Sequence, residues 1–424
     1  MEFFHLTSFI LMISAGFGFL NQKTLKLPTG IALMLTGLLI SLMVIALKGI
    51  SNGFSEAITA QIVNLDFSGI VLEVMLSFLL FAGALHTDLG KLAKVKWTIL
   101  SFATLGVMIS TFTIGFLMYF ALELAGQGID LIYCLLFGAL ISPTDPIAVM
   151  SILKKAGVPK EIEIKITGES LFNDGIGVVV FLSLFEIARQ GTENVGAGYV
   201  VGLLAQEVIG GIVLGLLFGY VAYHMLKNLD EYRTEVLITL AVATGGYSTA
   251  IAFHVSGPLV VVVAGLFIGN SSERGAMSQV TQDYINKFWE ILDEALNAIL
   301  FVLIGLELLV VKMTLTYLLI GLFAAVVSVV IRYLALSIPS SVFGLKKTFE
   351  SYTLPIMTWG GLRGGISIAL ALSLTADMEK EMILAATYVV VLCSLLIQGL
   401  SLEGVVKRLM REEKEKEKPA ASAA

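Results

Sequence analysis

Long apolar runs follow one another along this chain, and only a few are interrupted by compact polar clusters. A membrane span takes roughly 20 apolar residues. Thirteen such runs are predicted, near 3–20, 28–47, 67–85, 97–122, 131–153, 164–188, 199–226, 234–254, 257–270, 286–310, 314–341, 351–374 and 381–402. The runs are continuous rather than alternating, which predicts helices and not the strands of a barrel. The expected fold class is an all-α integral membrane protein, with a membrane region over 1–409 and a charged tail over 410–424. The tail, a Glu/Lys run followed by Pro and Ala, reads as solvated and partly disordered.

Composition agrees: of 424 residues, 57% are hydrophobic and only 14% charged. The net charge of −6 says less than the placement of Lys and Arg. Twenty-one of the 27 fall in alternate loops and the tail, among them Lys91, Lys154, Lys160, Lys346, Lys347 and Arg274. The other side holds only Lys48, Arg189, Lys312 and Lys380, while Arg332 and Arg363 fall within spans. The positive-inside rule then places the C-terminus in the cytoplasm and the N-terminus outside. The first run lacks a basic flank and a small-residue cleavage site, so it reads as an uncleaved span. Cys134 and Cys393 lie in apolar runs and read as core residues, not a disulfide.

An odd count allows two inverted six-span halves around a linking seventh span. Span 5, with Ser142-Pro143-Thr144-Asp145-Pro146, then matches span 12, with Gly360-Gly361-Leu362-Arg363-Gly364-Gly365. Paired helix breaks at matching positions of two halves point to a transporter's binding site.

The third polar cluster, Gly168-Glu169-Ser170-Leu171-Phe172-Asn173-Asp174-Gly175, lies in span 6. On a helix Ser170 and Asp174 share one face, as do Glu169 and Asn173. A carboxylate at membrane depth faces a cavity, an ion or a partner charge. Burial favours the protonated form of Asp174 and a nearby cation favours the ionised form. One group can thus hold either a proton or a cation, and competition for it couples the two. Ser170 adds an oxygen ligand suited to Na⁺. Asp145, between two prolines, sits at carbonyls freed by the break; the plain alternative is a structural kink. Glu169 and Arg363 are expected to pair, because each would otherwise be an uncompensated charge; the alternative is that Arg363 snorkels to an interface. Asn173 is neutral, so Asp174 is the titrating member and one proton per cation is the simplest stoichiometry.

Glu290, Asp293 and Glu294 are expected to open span 10, where acids suit the helix dipole or form a cation-attracting vestibule. His86 and Asp88 end span 3 and are candidates for pH sensing. His5, His224 and His254 are scattered. No metal-ligand cluster and no phosphate-binding loop occurs, so no resident cofactor, no ATP drive and no enzyme activity is expected.

Thr144-Asp145-Pro146, Glu169-Ser170-Leu171-Phe172-Asn173-Asp174 and Gly361-Leu362-Arg363-Gly364 resemble the signatures of prokaryotic sodium/proton antiporters of the NhaP type. These belong to the monovalent cation:proton antiporter-1 family, which includes the animal exchangers. Phe288-Trp289-Glu290 and the run from Asn297 to Gly305 are similar too. The resemblance implies exchange of Na⁺ or Li⁺ for H⁺ across the cell membrane by a homodimer. It implies two crossing unwound helices in an elevator-like core, near 97–188 and 314–402, and dimerisation spans near 3–85 and 199–310. It implies Na⁺ at Asp174, Ser170 and the Thr144 backbone, with Asp145 close by and Glu169 and Arg363 bracing the core. Family members with Asn-Asp at this point, rather than two aspartates, are generally electroneutral. Many relatives carry a Glu in the third span, where this chain has Ala82 in Leu80-Phe81-Ala82-Gly83-Ala84; Glu73 lies too far away to replace it. Three other readings stay open: K⁺/H⁺ exchange, a passive cation channel or proton-gated sensor, and an intramembrane aspartyl protease built on Asp145 and Asp174.

Overall fold

Helix follows helix through the computed structural model, which describes residues 2–47, 66–191, 196–271, 277–344 and 349–421. Lys48, Arg274, Lys346 and Lys347 lie outside the described residues, among which there is no strand. The helices are α1 Glu2–Leu20, α2 Thr29–Leu47, α3 Phe67–Leu85, the short α4 Leu89–Lys94 and α5 Lys96–Leu124. There follow α6 Leu131–Ile141, α7 Pro146–Ala156, α8 Lys160–Gln190, α9 Ala197–Lys227, α10 Tyr232–Ala252 and α11 Gly257–Gly269. The chain continues with α12 Gln279–Leu306, α13 Leu315–Val342, α14 Thr353–Trp359 and α15 Gly365–Leu372. The last helix, α16, runs Lys380–Cys393, through a wider-wound segment Ser394–Gly399, into Leu400–Ala421. Each predicted range holds a helix or a pair of helices, and among the described residues eight helices are individually long and apolar enough to cross a membrane.

Two ranges are split, as their residues require. Pro143 and Pro146 each lack the N–H that an unbroken helix would use, so α6 stops at Ile141 and α7 starts on Pro146. The second split, between Trp359 and Gly365, is glycine-rich, and Gly364 is extended at φ −126° and ψ −159°.

Two sets of helices pack closely. In one, α2 lies along α12, and α3, α9 and α10 cover α11. Gly37 and Gly305 permit the first contact: a Cβ on Gly305 would lie 2.7 Å from the Gly37 carbonyl carbon. Ser41 Oγ donates to the Gly305 carbonyl there at 2.9 Å. In the other set α5 lies along α6, α13 along α16 and α5, and α15 along α16. Helix α8 touches both sets.

The tail differs from expectation. It is helical through Ala421 as a continuation of α16. Ion pairs one turn apart, Lys407–Glu403 at 2.6 Å, Arg408–Glu412 at 2.8 Å and Arg411–Glu415 at 2.8 Å, line its exposed face. Leu402 and Val406 are fully buried, and the helix packs on α7.

Candidate functional site: a cavity at two crossing helix breaks

The two breaks meet. The Asp145 backbone N–H donates to the Leu362 carbonyl at 2.8 Å. Arg363 Nη1 donates to the Ser142 carbonyl at 2.6 Å and the Pro143 carbonyl at 2.7 Å. Those carbonyls extend past the C-terminal end of α6, where a cation suits the helix dipole. Asp145 stands against the other break: a Cβ on Gly364 would lie 3.0 Å from the Asp145 Cγ, just before α15 begins. Each break thus supplies the opposite charge to a helix end of the other. The wider-wound segment of α16 holds the second break in place, because Ser394 Oγ accepts from the Arg363 N–H at 2.9 Å and Gln398 Nε2 donates to the Trp359 carbonyl at 3.3 Å.

Helix α8 lays its polar cluster over the first break. Asn173 Nδ2 donates to Glu169 Oε1 at 2.7 Å and to Thr144 Oγ1 at 2.9 Å, and its Oδ1 accepts from the Thr144 N–H at 3.4 Å. Ser170 Oγ donates to the Thr144 carbonyl. Glu169, Ser170, Asn173 and Thr144 are all buried. Gly177 makes this approach possible: a Cβ there would lie 3.1 Å from the Pro143 Cδ.

The expected Glu169–Arg363 pair is not the one formed. Glu169 is held by Arg332 of α13 in a two-pronged contact, Nη1 to Oε1 at 2.8 Å and Nη2 to Oε2 at 2.6 Å. Two buried guanidiniums compete for one carboxylate, and each finds the acceptors nearest its own helix. Arg363 has two free carbonyls beside it, whereas Arg332, on an unbroken helix, has no spare backbone acceptor and takes Glu169. Arg363 is buried, which also excludes snorkelling. Sequence reasoning placed Arg332 in a span and gave it no role. The available signal was the one applied to Arg363, a lone cation in a long apolar run.

Gly361 lets Arg332 pass. A Cβ there would sit 2.9 Å from Arg332 Nε and 3.4 Å from Thr144 Cγ2. Gly361→Ala is expected to displace the guanidinium from Glu169 and to lower stability by about 1–3 kcal/mol, the usual penalty of overpacking. Thermal unfolding in detergent measures it; an unchanged midpoint would show that Arg332 does not need this gap.

Asp174 lines a cavity of about 710 Å³ together with Thr144 and Asp145. Its carboxylate is one turn from Ser170, and Asp174 is only 5% exposed. The cavity reaches Lys91, Lys154 and Lys160 at the lysine-rich side. Apolar walls from Leu76, Leu80, Leu171 and Leu300 complete it. Carboxylate, hydroxyl and backbone carbonyl oxygens around one water-accessible pocket make a hard-oxygen environment for a monovalent cation, and the carboxylate is also a proton acceptor.

Ala82 is buried and does not line the cavity; Leu76, Leu79, Leu80 and Gly83 of α3 do, as does His86 just past its end. Glu290, Asp293 and Glu294 do not open a helix, since α12 begins at Gln279, capped by Ser278 Oγ accepting from the Thr281 N–H at 3.3 Å. The dipole explanation therefore fails for them. Only Asp293 lines the cavity, while Glu290 and Glu294 are exposed. Asp88 caps α4, accepting from the Lys91 N–H at 2.9 Å and pairing with its ammonium at 2.6 Å. The Lys91 side chain holds the Asp88 carboxyl below the usual carboxylate range, so it stays ionised near neutrality and is not a pH sensor there.

The sequence profile described as sodium/hydrogen exchanger, transmembrane, matches residues 9–408. The Na⁺/H⁺ antiporter NhaP of Pseudomonas aeruginosa is 44% identical over 396 residues, covering 92% of this chain and 93% of that protein. The Na⁺/H⁺ antiporter NhaH of Halobacillus aidingensis is 36% identical over 392 residues, covering 91% and 93%. Among solved structures, the sodium proton antiporter MjNhaP1 of Methanocaldococcus jannaschii superposes with a TM-score of 0.74, covering 96% of this chain and 99% of that one at 20% identity. At that identity the match speaks for the fold.

Proposed function

The chain belongs to the sodium/hydrogen exchanger family, and from that premise we propose that it exchanges Na⁺ or Li⁺ for H⁺ across the cell membrane, electroneutrally and one for one. The observation that carries this reading is Asp174: a buried carboxylate on a cavity wall, beside Ser170, the Thr144 carbonyl and Asp145, at two crossed helix breaks. A cation and a proton compete for that carboxylate, so one leaves as the other binds. Asn173 is committed to Thr144 and Glu169 and carries no charge, which supports the electroneutral count.

Thirteen crossings in two inverted six-span halves accommodate the paired breaks. The lysine-rich loops favour a cytoplasmic C-terminus and an outer N-terminus. On that orientation the cavity opens inward, and alternating access moves α5–α8 and α13–α16 against the remaining helices. The Glu169–Arg332 pair, Asn173 and Arg363 hold the moving unit together. A homodimer is supported by α9, whose outward face carries Ile209, Val213, Leu216, Leu217 and Tyr220, all exposed. The exchanger family and the absence of the protease motifs weigh against proteolysis by Asp145 and Asp174.

The test uses purified protein in sealed liposomes with an imposed Na⁺ gradient, lumenal pH being followed while K⁺ and valinomycin clamp the voltage. Sodium-dependent proton movement that ignores the voltage is expected. Absence of cation-coupled proton flux would remove the proposal. A response to K⁺ in Na⁺-free vesicles without valinomycin would transfer it to K⁺.

A further inference from the structure

Three carboxylates in the cavity, Asp88, Glu163 and Asp293, take no part in that exchange. Asp293 lines the cavity from α12, whereas Asp145 and Asp174 line it from the first break and α8. Helix α12 is fixed against rotation. Trp289, one turn before Asp293, is fully buried, packs its ring tilted against Phe81 of α3 with centroids 4.7 Å apart, and donates from Nε1 to Thr239 Oγ1 of α10 at 2.9 Å. The Asp293 carboxylate is itself oriented, because Asn297 Nδ2 donates to its Oδ1 at 3.1 Å and to its backbone carbonyl at 2.8 Å. The other half of that carboxamide, Asn297 Oδ1, is buried with no hydrogen-bond partner. Among the described residues no Lys or Arg forms an ion pair with Asp293. The charged and titratable groups that act on it are His86, at the C-terminal end of α3, Asp145 and its neighbour Glu294.

We propose that Asp293 is a receiving group for the transported cation, used only from the lysine-rich face of the protein. A cation entering there passes Lys154 and Lys160, which repel it, while the charge of Lys91 is offset by Asp88. Behind them Asp293 is an oriented, unpaired anion within electrostatic reach of Asp145. It concentrates the ion and hands it to the oxygens around Asp174. Because Asp293 stands on the stationary helices, it meets the site only while the cavity faces that side. The inference rests on the exchange reading above. A purely structural Asp293–Asn297 contact would act equally on both faces, so sidedness discriminates.

The experiment measures half-saturating Na⁺ for proton exchange in everted and in right-side-out membrane vesicles, with wild type, Asp293→Asn, Asp293→Glu and Asn297→Ser. In everted vesicles, where the lysine-rich face meets the medium, Asp293→Asn is expected to raise half-saturating Na⁺ about tenfold, at the low end of what local charge does to counter-ion concentration. In right-side-out vesicles it leaves the value unchanged, and Asp293→Glu restores the wild-type value in both. Asn297→Ser keeps the charge but loosens it, and gives a smaller shift in the same direction. Equal shifts at both faces, a shift at the opposite face alone, or no shift in either variant overturns the role of Asp293. A wild type silent from both faces would instead remove the exchange reading, and this inference with it.

Discussion

Asp174→Asn is expected to abolish Na⁺-coupled proton movement and to leave the protein folded. The substitution keeps shape and hydrogen-bonding capacity but removes the only ionisable group of the Asn173-Asp174 pair. The loss is expected to be about 100-fold or more, the weight of a single proton-handling side chain. Stability is unchanged or slightly higher, because the change removes a desolvated charge that forms no ion pair among the described residues. Proton flux and thermal unfolding, measured on the same proteoliposome and detergent preparations, separate the two effects. Flux within about twofold of wild type would take the proton away from Asp174 and give it to Asp145, the other carboxylate at the crossing.

Arg332→Gln, by contrast, acts on stability. It leaves Glu169 charged and buried with only Asn173 as partner, and losing one member of a buried pair takes about 3–5 kcal/mol from a fold. Glu169→Gln leaves Arg332 in the converse position. The double variant Glu169→Gln/Arg332→Gln recovers part of the loss, with a coupling of about 0.5–3 kcal/mol. The corresponding cycle of Glu169 with Arg363 shows a smaller coupling, because the Arg363 guanidinium is spent on the Ser142 and Pro143 carbonyls. Unfolding midpoints of the five variants decide the matter. Equal coupling in both cycles would mean that the two arginines share the carboxylate in solution.

These two cases show which features the sequence carried. Helix positions were legible because apolar runs of span length have no other stable form in lipid. The breaks were legible because Pro143, Pro146 and the glycines around Arg363 forbid a continuous ladder. The contents of the site were legible through Glu169, Ser170, Asn173 and Asp174, since polar groups at helical spacing inside an apolar run declare a shared face. Partner choice was not. Two buried arginines and one buried glutamate admit two pairings, and only the crossing of the breaks shows that Arg363 has carbonyls at hand. The role of Asp293 was hidden by the start of its helix, placed about two turns too late, which made it look like a first-turn acid. The helical tail was hidden because the buried positions that anchor its helix, Leu402 and Val406, lie before it, and the tail itself is mostly charged.

The grip of Arg363 on the first break bears on which ions can pass. Its guanidinium is in effect a tethered resident cation, already lodged among the carbonyls that the break exposes. On the exchange proposed above, a travelling ion is expected to find the Thr144 carbonyl there, and not all three. With so few backbone oxygens the ion completes its shell from the Asp174 carboxylate, Ser170 and water drawn from the cavity. A binding place finished by water adjusts its size to its guest. On that same proposal, such a place is expected to discriminate weakly between Li⁺ and Na⁺, unlike a rigid cage of carbonyls.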